Sequence, residues 1–179
     1  ECVRFPEIGT EVYGLSYYRP EQTAALYDGL HPVEGDAFHV LLGHGGDAEH
    51  IPYRKDEFAR SGFDYVALGH SDICKELIPG RVIDCGALTP LRSTETGPHG
   101  YVLGSFENGK IRTRFVPKAR REYLTLPMTA DESDTTDTLR TRLEEAIEQR
   151  GWQHIYRVVI TGSRNTQVYF GTEKLSEYE

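Results

Sequence analysis

Two histidines in this sequence occupy matching settings. Phe38-His39-Val40-Leu41-Leu42 ends in Gly43-His44-Gly45-Gly46, and Asp64-Tyr65-Val66-Ala67-Leu68 ends in Gly69-His70-Ser71-Asp72. A short apolar run stopped abruptly by glycine is the pattern of a β-strand covered on both faces. Each run thus delivers a histidine just past the carboxyl end of a strand, the rim at which open α/β sheets bind ligands. The two imidazoles are expected to converge on one site. A single histidine after a strand is more commonly a hydrogen-bonded structural residue than a ligand, and the repeated context is what favours the ligand reading.

The elements that must position these residues read as follows. Residues 11–17 form a strand, and Pro20-Glu21 opens a helix through about Gly29, with proline in the first turn. After His44, residues 45–53 are a polar, glycine-containing loop, and Lys55 to Arg60 is a short helix closed by Gly62. Strand, helix and strand make a βαβ unit, so the two histidine-bearing strands are expected to be parallel. Short strands then follow at 74–78, 81–84, 101–107 and 111–116, with Asn108-Gly109 as the turn of an antiparallel hairpin. One more strand runs from Arg120 to Leu126, before Pro127. Met128 to Thr136 reads as a linker. From Asp137, Leu139, Leu143, Ala146 and Ile147 fall on one helical face, with Asp134, Thr135 or Thr136 as cap and Gly151 at the end. Strands at 154–161 and 167–170 and a helix starting at Thr172 complete the chain. The fold class is therefore α/β (α+β): half of an α/β sandwich over residues 1–127, then a small α+β domain over 128–179.

Composition narrows the function classes. The chain has 179 residues, 38% of them hydrophobic, enough for a packed core. Twenty Lys and Arg against 28 Asp and Glu leave a net charge of -8, which argues against non-specific nucleic-acid binding by the whole surface. Three cysteines without Cys-x-x-Cys spacing indicate reduced thiols and a cytoplasmic protein. No apolar stretch approaches the roughly 20 residues of a membrane span. Glu1-Cys2-Val3-Arg4 is not a signal peptide, and a start without methionine is expected of a piece of a longer chain.

The Gly43-His44-Gly45 and Asp64-to-His70 segments resemble the calcineurin-like metallophosphoesterases, in the branch of SbcD-like double-strand-break-repair nucleases. Gly14-Leu15-Ser16-Tyr17 is similar to the family strand before the first histidine. Asp84-Cys85-Gly86-Ala87, Glu95 and Gly97 to Gly100 resemble its later strand and turn, and Arg157 to Gly162 the capping module. The family's upstream Asp-x-His, Gly-Asp and Gly-Asn-His segments, the last carrying its catalytic histidine, have no counterpart here. The resemblance therefore covers the C-terminal half of the catalytic domain plus the capping domain. It implies two divalent metal ions, manganese first and magnesium, iron or zinc as alternatives, with His44 and His70 as ligands. Asp72 stands where the second histidine of the family's Gly-His-x-His is expected, and as a hard carboxylate it suits manganese or magnesium. The alternative for Asp72 is a turn cap pointing away from the metal.

Further implications are hydrolysis of phosphodiester bonds by a metal-bridging hydroxide, DNA as substrate, an SbcC-like ATPase as partner, and a homodimer formed through the N-terminal half. With half its ligands absent, the chain alone is expected neither to bind two metals tightly nor to turn over substrate. The competing readings are a non-catalytic scaffold that has lost a metal and a phosphodiesterase acting on small molecules. A serine hydrolase ranks last, since no Gly-x-Ser-x-Gly elbow is present around Ser16 or Ser71.

Lys110, Arg112, Arg114, Lys118, Arg120 and Arg121 form a basic run in which Arg112 and Arg114 share a strand face. They are candidates for tracking phosphates beside the metals, with a solvated strand as the alternative. His39 reads as structural, and His31 as part of a surface turn. His50, His99 and His154 have no partner at ligand spacing. The acidic excess from Asp131 to Glu148 reads as solvated surface, and Trp152 as a packing anchor.

Overall fold

The two histidine-bearing runs become neighbouring strands because both alternate buried and partly buried side chains along a sheet. In the computed structural model, which describes residues 1–16, 18–166 and 175, the protein is a mixed α/β chain whose largest element is a mixed six-stranded sheet. Its strands are β1 (Cys2–Phe5), β2 (Thr10–Leu15), β3 (Phe38–Gly43), β4 (Tyr65–Leu68), β5 (Lys75–Ile78) and β6 (Val82–Asp84), in the spatial order β1-β2-β3-β4-β6-β5. The central β2, β3, β4 and β6 are parallel, and β1 and β5 flank them antiparallel. Helix α1 (Lys55–Arg60), at the residues expected from sequence, joins β3 to β4 and buries Phe58. The core of this unit gathers Tyr27, Leu41, Ile51, Phe58, Phe63, Val66, Leu68 and Val82.

Three expectations need correction here. Residues 20–29 form turns in place of a helix. The Gln22 N–H donates to the Glu49 carbonyl (2.6 Å) and the Gln22 carbonyl accepts from Ile51 N–H (2.7 Å), while Tyr27 is buried. Pairing to another segment and the burial of one aromatic ring override weak helix propensity. Next, β3 is not covered on both faces: Leu41 is buried but Leu42 is 56% exposed. The third concerns the region after Arg120. There β9 (Tyr123–Ala130) runs straight through Pro127, so Met128 to Ala130 is strand and not linker.

Strand β9 tolerates proline because, apart from a single bridge of Tyr123 to Thr96, it pairs among the described residues along one edge only. Its partner is the parallel strand β10 (Ile155–Gly162). The hairpin of β7 (Gly100–Glu107) and β8 (Lys110–Pro117) forms as predicted, with Asn108 and Gly109 at φ +52° and +73°.

The chain divides into two compact units, Glu1–Thr89 with Pro98–Ala119, and Pro90–Gly97 with Arg120 onward. The boundary near 127–128 expected from sequence thus falls inside β9. In the second unit, helix α2 (Thr136–Arg150) connects β9 to β10. Its Leu139, Leu143 and Ile147 pack on Leu126, Met128 and Ala130 of β9. Of the three candidate caps, Thr135 takes the position: its hydroxyl accepts from Thr138 N–H while the Thr138 hydroxyl accepts from Thr135 N–H. The strand expected at 167–170 and the helix start at Thr172 lie outside the described residues. The three cysteines are free thiols, and no helix among the described residues is long and apolar enough to cross a membrane.

Candidate metal-binding rim

Parallel strands end together, so residues one step past β3, β4 and β6 meet at one rim. His44 follows β3, His70 follows β4 after Gly69, and Asp84 closes β6. The Gly69 N–H donates to the His44 carbonyl (2.9 Å), locking the two turns together. The imidazoles converge as the sequence pattern predicts: His44 Nε2 lies 3.0 Å from His70 Nδ1, and the rings are 4.9 Å apart and nearly perpendicular.

The loop after His44 brings two further groups to this rim. Gly45, at φ +73°, donates its N–H to the buried Tyr27 hydroxyl (2.7 Å). A Cβ on Gly46 would sit 1.9 Å from the His50 carbonyl oxygen, so only glycine lets the loop close this tightly. Asp47 Oδ1 accepts from Glu49 N–H (2.9 Å) and lies 2.6 Å from His50 Nδ1. Asp47 Oδ2 is 3.5 Å from His70 Nε2, and the His50 and His70 rings are 5.1 Å apart. The loop ends on Ile51, fully buried at φ +55°. A β-branched residue in the left-handed region is strained and is retained only where surrounding packing dictates it.

Among the described residues, Asp47, His50 and His70 form a group whose donor atoms all lie within 4.8 Å of one another. His50, read from sequence as lacking a partner, is corrected by this geometry. A signal was present in Asp47-x-x-His50, since a turn closes residues i and i+3. Asp72, by contrast, is not part of that group; its backbone carbonyl accepts from Ala87 N–H (2.9 Å).

Asp84, quoted in the sequence only within the Asp84-Cys85-Gly86-Ala87 segment and given no role there, is buried at the end of β6 and accepts from the N–H groups of Ser71 (2.9 Å) and Gly86 (3.3 Å). It thereby anchors the turn that carries His70. Its signal was an acid ending an apolar strand, the same place His44 and His70 take on theirs.

Charge and burial tune the cluster. Burial is the main cause that lowers the His44 pKa, and the positive charges His70 and His50 would carry add to it, against Asp84 and Asp47, which raise it. The His50 hydrogen bond does most to hold the Asp47 carboxyl below its ordinary range, followed by the Glu49 N–H. Burial and the Asp84 charge push the Tyr53 hydroxyl up.

Arg112 and Arg114 are exposed on one face of β8, where they line a shallow groove with Leu103 and Ser105. They do not flank the histidines. The hairpin meets the sheet through Phe106 stacked on Phe38 (4.2 Å), at the amino end of β3, and through Thr113 near Gly80, just before β6. That is the rim opposite His44. His39 is buried beside Tyr13, 3.7 Å from a Glu11 carboxylate oxygen. His31 Nδ1 lies 2.9 Å from the Ser61 carbonyl, and His154 accepts from Glu122 N–H (3.1 Å). No protein-family model and no curated protein matches this sequence.

Proposed function

We propose that the rim bearing His44 and His70 is the divalent-metal site of a phosphodiesterase. The observation that carries this reading is the convergence of three imidazoles and one carboxylate at the carboxyl ends of parallel strands, the position at which such sheets place ligands. The donor set fits. Imidazole with carboxylate suits zinc, manganese and iron, and magnesium less well.

A bound ion there supplies Lewis-acid polarisation of a phosphoryl oxygen and lowers the pKa of a water molecule. The chain's own part is to hold neutral imidazoles at the rim, which burial of His44 favours, and to orient the His70 turn through Asp84. The finer assignment, to the C-terminal half of a calcineurin-like phosphoesterase domain followed by a capping domain, rests on the Gly-His segments. It extends the reading to two metal ions, with manganese first, and to a role in DNA repair beside an SbcC-like ATPase.

The placement of Arg112 and Arg114 away from the histidines favours a phosphodiester recognised locally at the rim over a long polymer tracked along the hairpin. The test is manganese titration of the natural protein, followed by hydrolysis of bis(p-nitrophenyl) phosphate and of linear duplex DNA. Metal-dependent hydrolysis that is lost in His70→Ala is expected. Hydrolysis that survives either chelation or His70→Ala overturns the reading, as does absence of hydrolysis with metal bound. Cleavage of the small diester alone would remove the DNA-repair assignment.

A further inference from the structure

Two of the three free thiols face each other where β5 begins and β6 ends. The two strands pair antiparallel with Lys75 opposite Asp84, and the same register continues outward to the Ala87 N–H, which donates to the Asp72 carbonyl (2.9 Å). Cys74 and Cys85 lie between those two points, directly across from one another. The Cys85 N–H donates to the Leu68 carbonyl (3.0 Å) on the β4 side, so with respect to β5 the cysteines occupy a non-hydrogen-bonded pair. At such a pair the Cα atoms approach to about 4.5 Å, within the range of about 4.4–6.8 Å that a disulfide spans.

Packing agrees with this pairing. A Cβ on Gly86, at φ +74°, would lie 2.5 Å from the Cys74 nitrogen, so the chain just past Cys85 presses on Cys74 itself. Burial does most to raise the Tyr65 hydroxyl, and the charges that Cys85 and Cys74 would carry come next, which puts both sulfurs on the Tyr65 face of the sheet. Cys2 is exposed on β1, at the opposite edge of the sheet from β5.

We propose that Cys74 and Cys85 form a redox modification site, a dithiol that a low-molecular-weight disulfide of the glutathione class converts to an intrachain bridge. One cysteine, as its thiolate, attacks the small disulfide, whose S–S bond breaks and releases one small thiol. The other cysteine attacks the mixed disulfide, the Cys74–Cys85 bond forms, and the second small thiol leaves. The cysteines give up two electrons and two protons, and the small disulfide takes them up. Excess small thiol runs the exchange backward. Burial raises both cysteines, so they persist as thiols until such an oxidant accumulates. The bridge closes where the His70 turn is anchored. Asp84, beside Cys85, accepts from Ser71 N–H (2.9 Å), and Lys75 Nζ, beside Cys74, donates to Ser71 Oγ (3.4 Å). Oxidation therefore staples together the two strands that hold this turn, whether or not the rim binds a metal.

The test is incubation of the reduced Cys2→Ser protein with oxidised glutathione, followed by thiol counting in denaturant and tryptic mapping by mass spectrometry. Both remaining thiols should disappear without added glutathione mass, and the peptides Ser61–Lys75 and Val82–Arg92 should appear linked. Dithiothreitol should restore both thiols. Hydrogen exchange at the Ser71 and Ala87 amides should slow about tenfold in the bridged form, and should not slow in Cys85→Ser treated alike. Glutathione adducts on Cys74 and Cys85 in place of the bridge overturn the site, as do thiols that stay reduced while Cys2 of the unsubstituted chain reacts. A bridge that leaves exchange at Ser71 and Ala87 unchanged overturns its action on the His70 turn.

Discussion

The carboxyl rim of the first unit and the start of α2 in the second each crowd polar groups around an acid, but to different ends. At α2, Asp134 accepts from Asp131 N–H (3.0 Å), from the Thr138 hydroxyl (3.1 Å) and from Arg142 (3.0 Å), and Arg142 also donates to the Thr129 carbonyl (2.8 Å). Opposite charges and local partners meet there, which is how a helix terminus is stabilised. At the rim, three imidazoles that repel one another when protonated lie together, and their loop ends on a strained isoleucine. Crowded imidazoles and backbone strain cost stability that packing elsewhere must supply. The difference separates a cluster that completes a helix terminus from the rim proposed above as a metal site.

The widest break in this comparison comes from the second core. Leu143→Ala should destabilise the second unit by about 3 kcal/mol, as truncation of a fully buried leucine does. Urea unfolding followed by fluorescence of Trp152, the single tryptophan and a member of that unit, should show the loss. Protection of the Val66 amide in the first unit should hardly change; equal losses would mean that the two cores unfold as one.

A narrower break is Gly46→Ala. Its new methyl group collides with the His50 carbonyl, so metal affinity at the rim should fall at least tenfold while the Trp152 midpoint stays put. Unaltered affinity would show that the loop's shape is irrelevant to the ion.

The smallest effect is on pH dependence in metal-free buffer. His44 has a folded pKa below its ordinary 6.5, so the unfolded chain binds its proton more readily. The associated stability is present above pH 6.5 and is lost as pH falls from there through the lower folded value. Asp134 is likewise lowered, chiefly by the Asp131 N–H, but from 3.8, so its contribution persists until pH drops below that. Between 6.5 and 3.8, amide protection corrected for intrinsic exchange should decline at Val66 and hold at Leu143. A parallel decline would erase the distinction.

Much of this was legible in residue order. The parallel pairing of β3 and β4 followed from two apolar runs and one short helix between them. The β7–β8 hairpin followed from Asn108-Gly109, and α2 from Leu139, Leu143 and Ile147 with a threonine cap. The failures share a cause. Residues 20–29 have a helical composition, yet Gln22 pairs with the segment around Glu49 and Ile51, a contact no local pattern reports. Pro127 ended a strand on paper, but a strand paired along one edge needs no N–H from it. Arg112 and Arg114 alternate onto one face as expected, but which rim that face adjoins depends on where Phe106 stacks.

Residue order was enough to place His44 and His70 past the ends of neighbouring parallel strands, because strand period and glycine stops are local properties carried by adjacent residues. Folding brought Asp47 and His50 to His70 and packed the hairpin through Phe106 on Phe38. Those outcomes hang on loop closure around Gly46 and on packing between distant segments. Such contacts are set by the free energy of the whole fold, and no short stretch of residues encodes them.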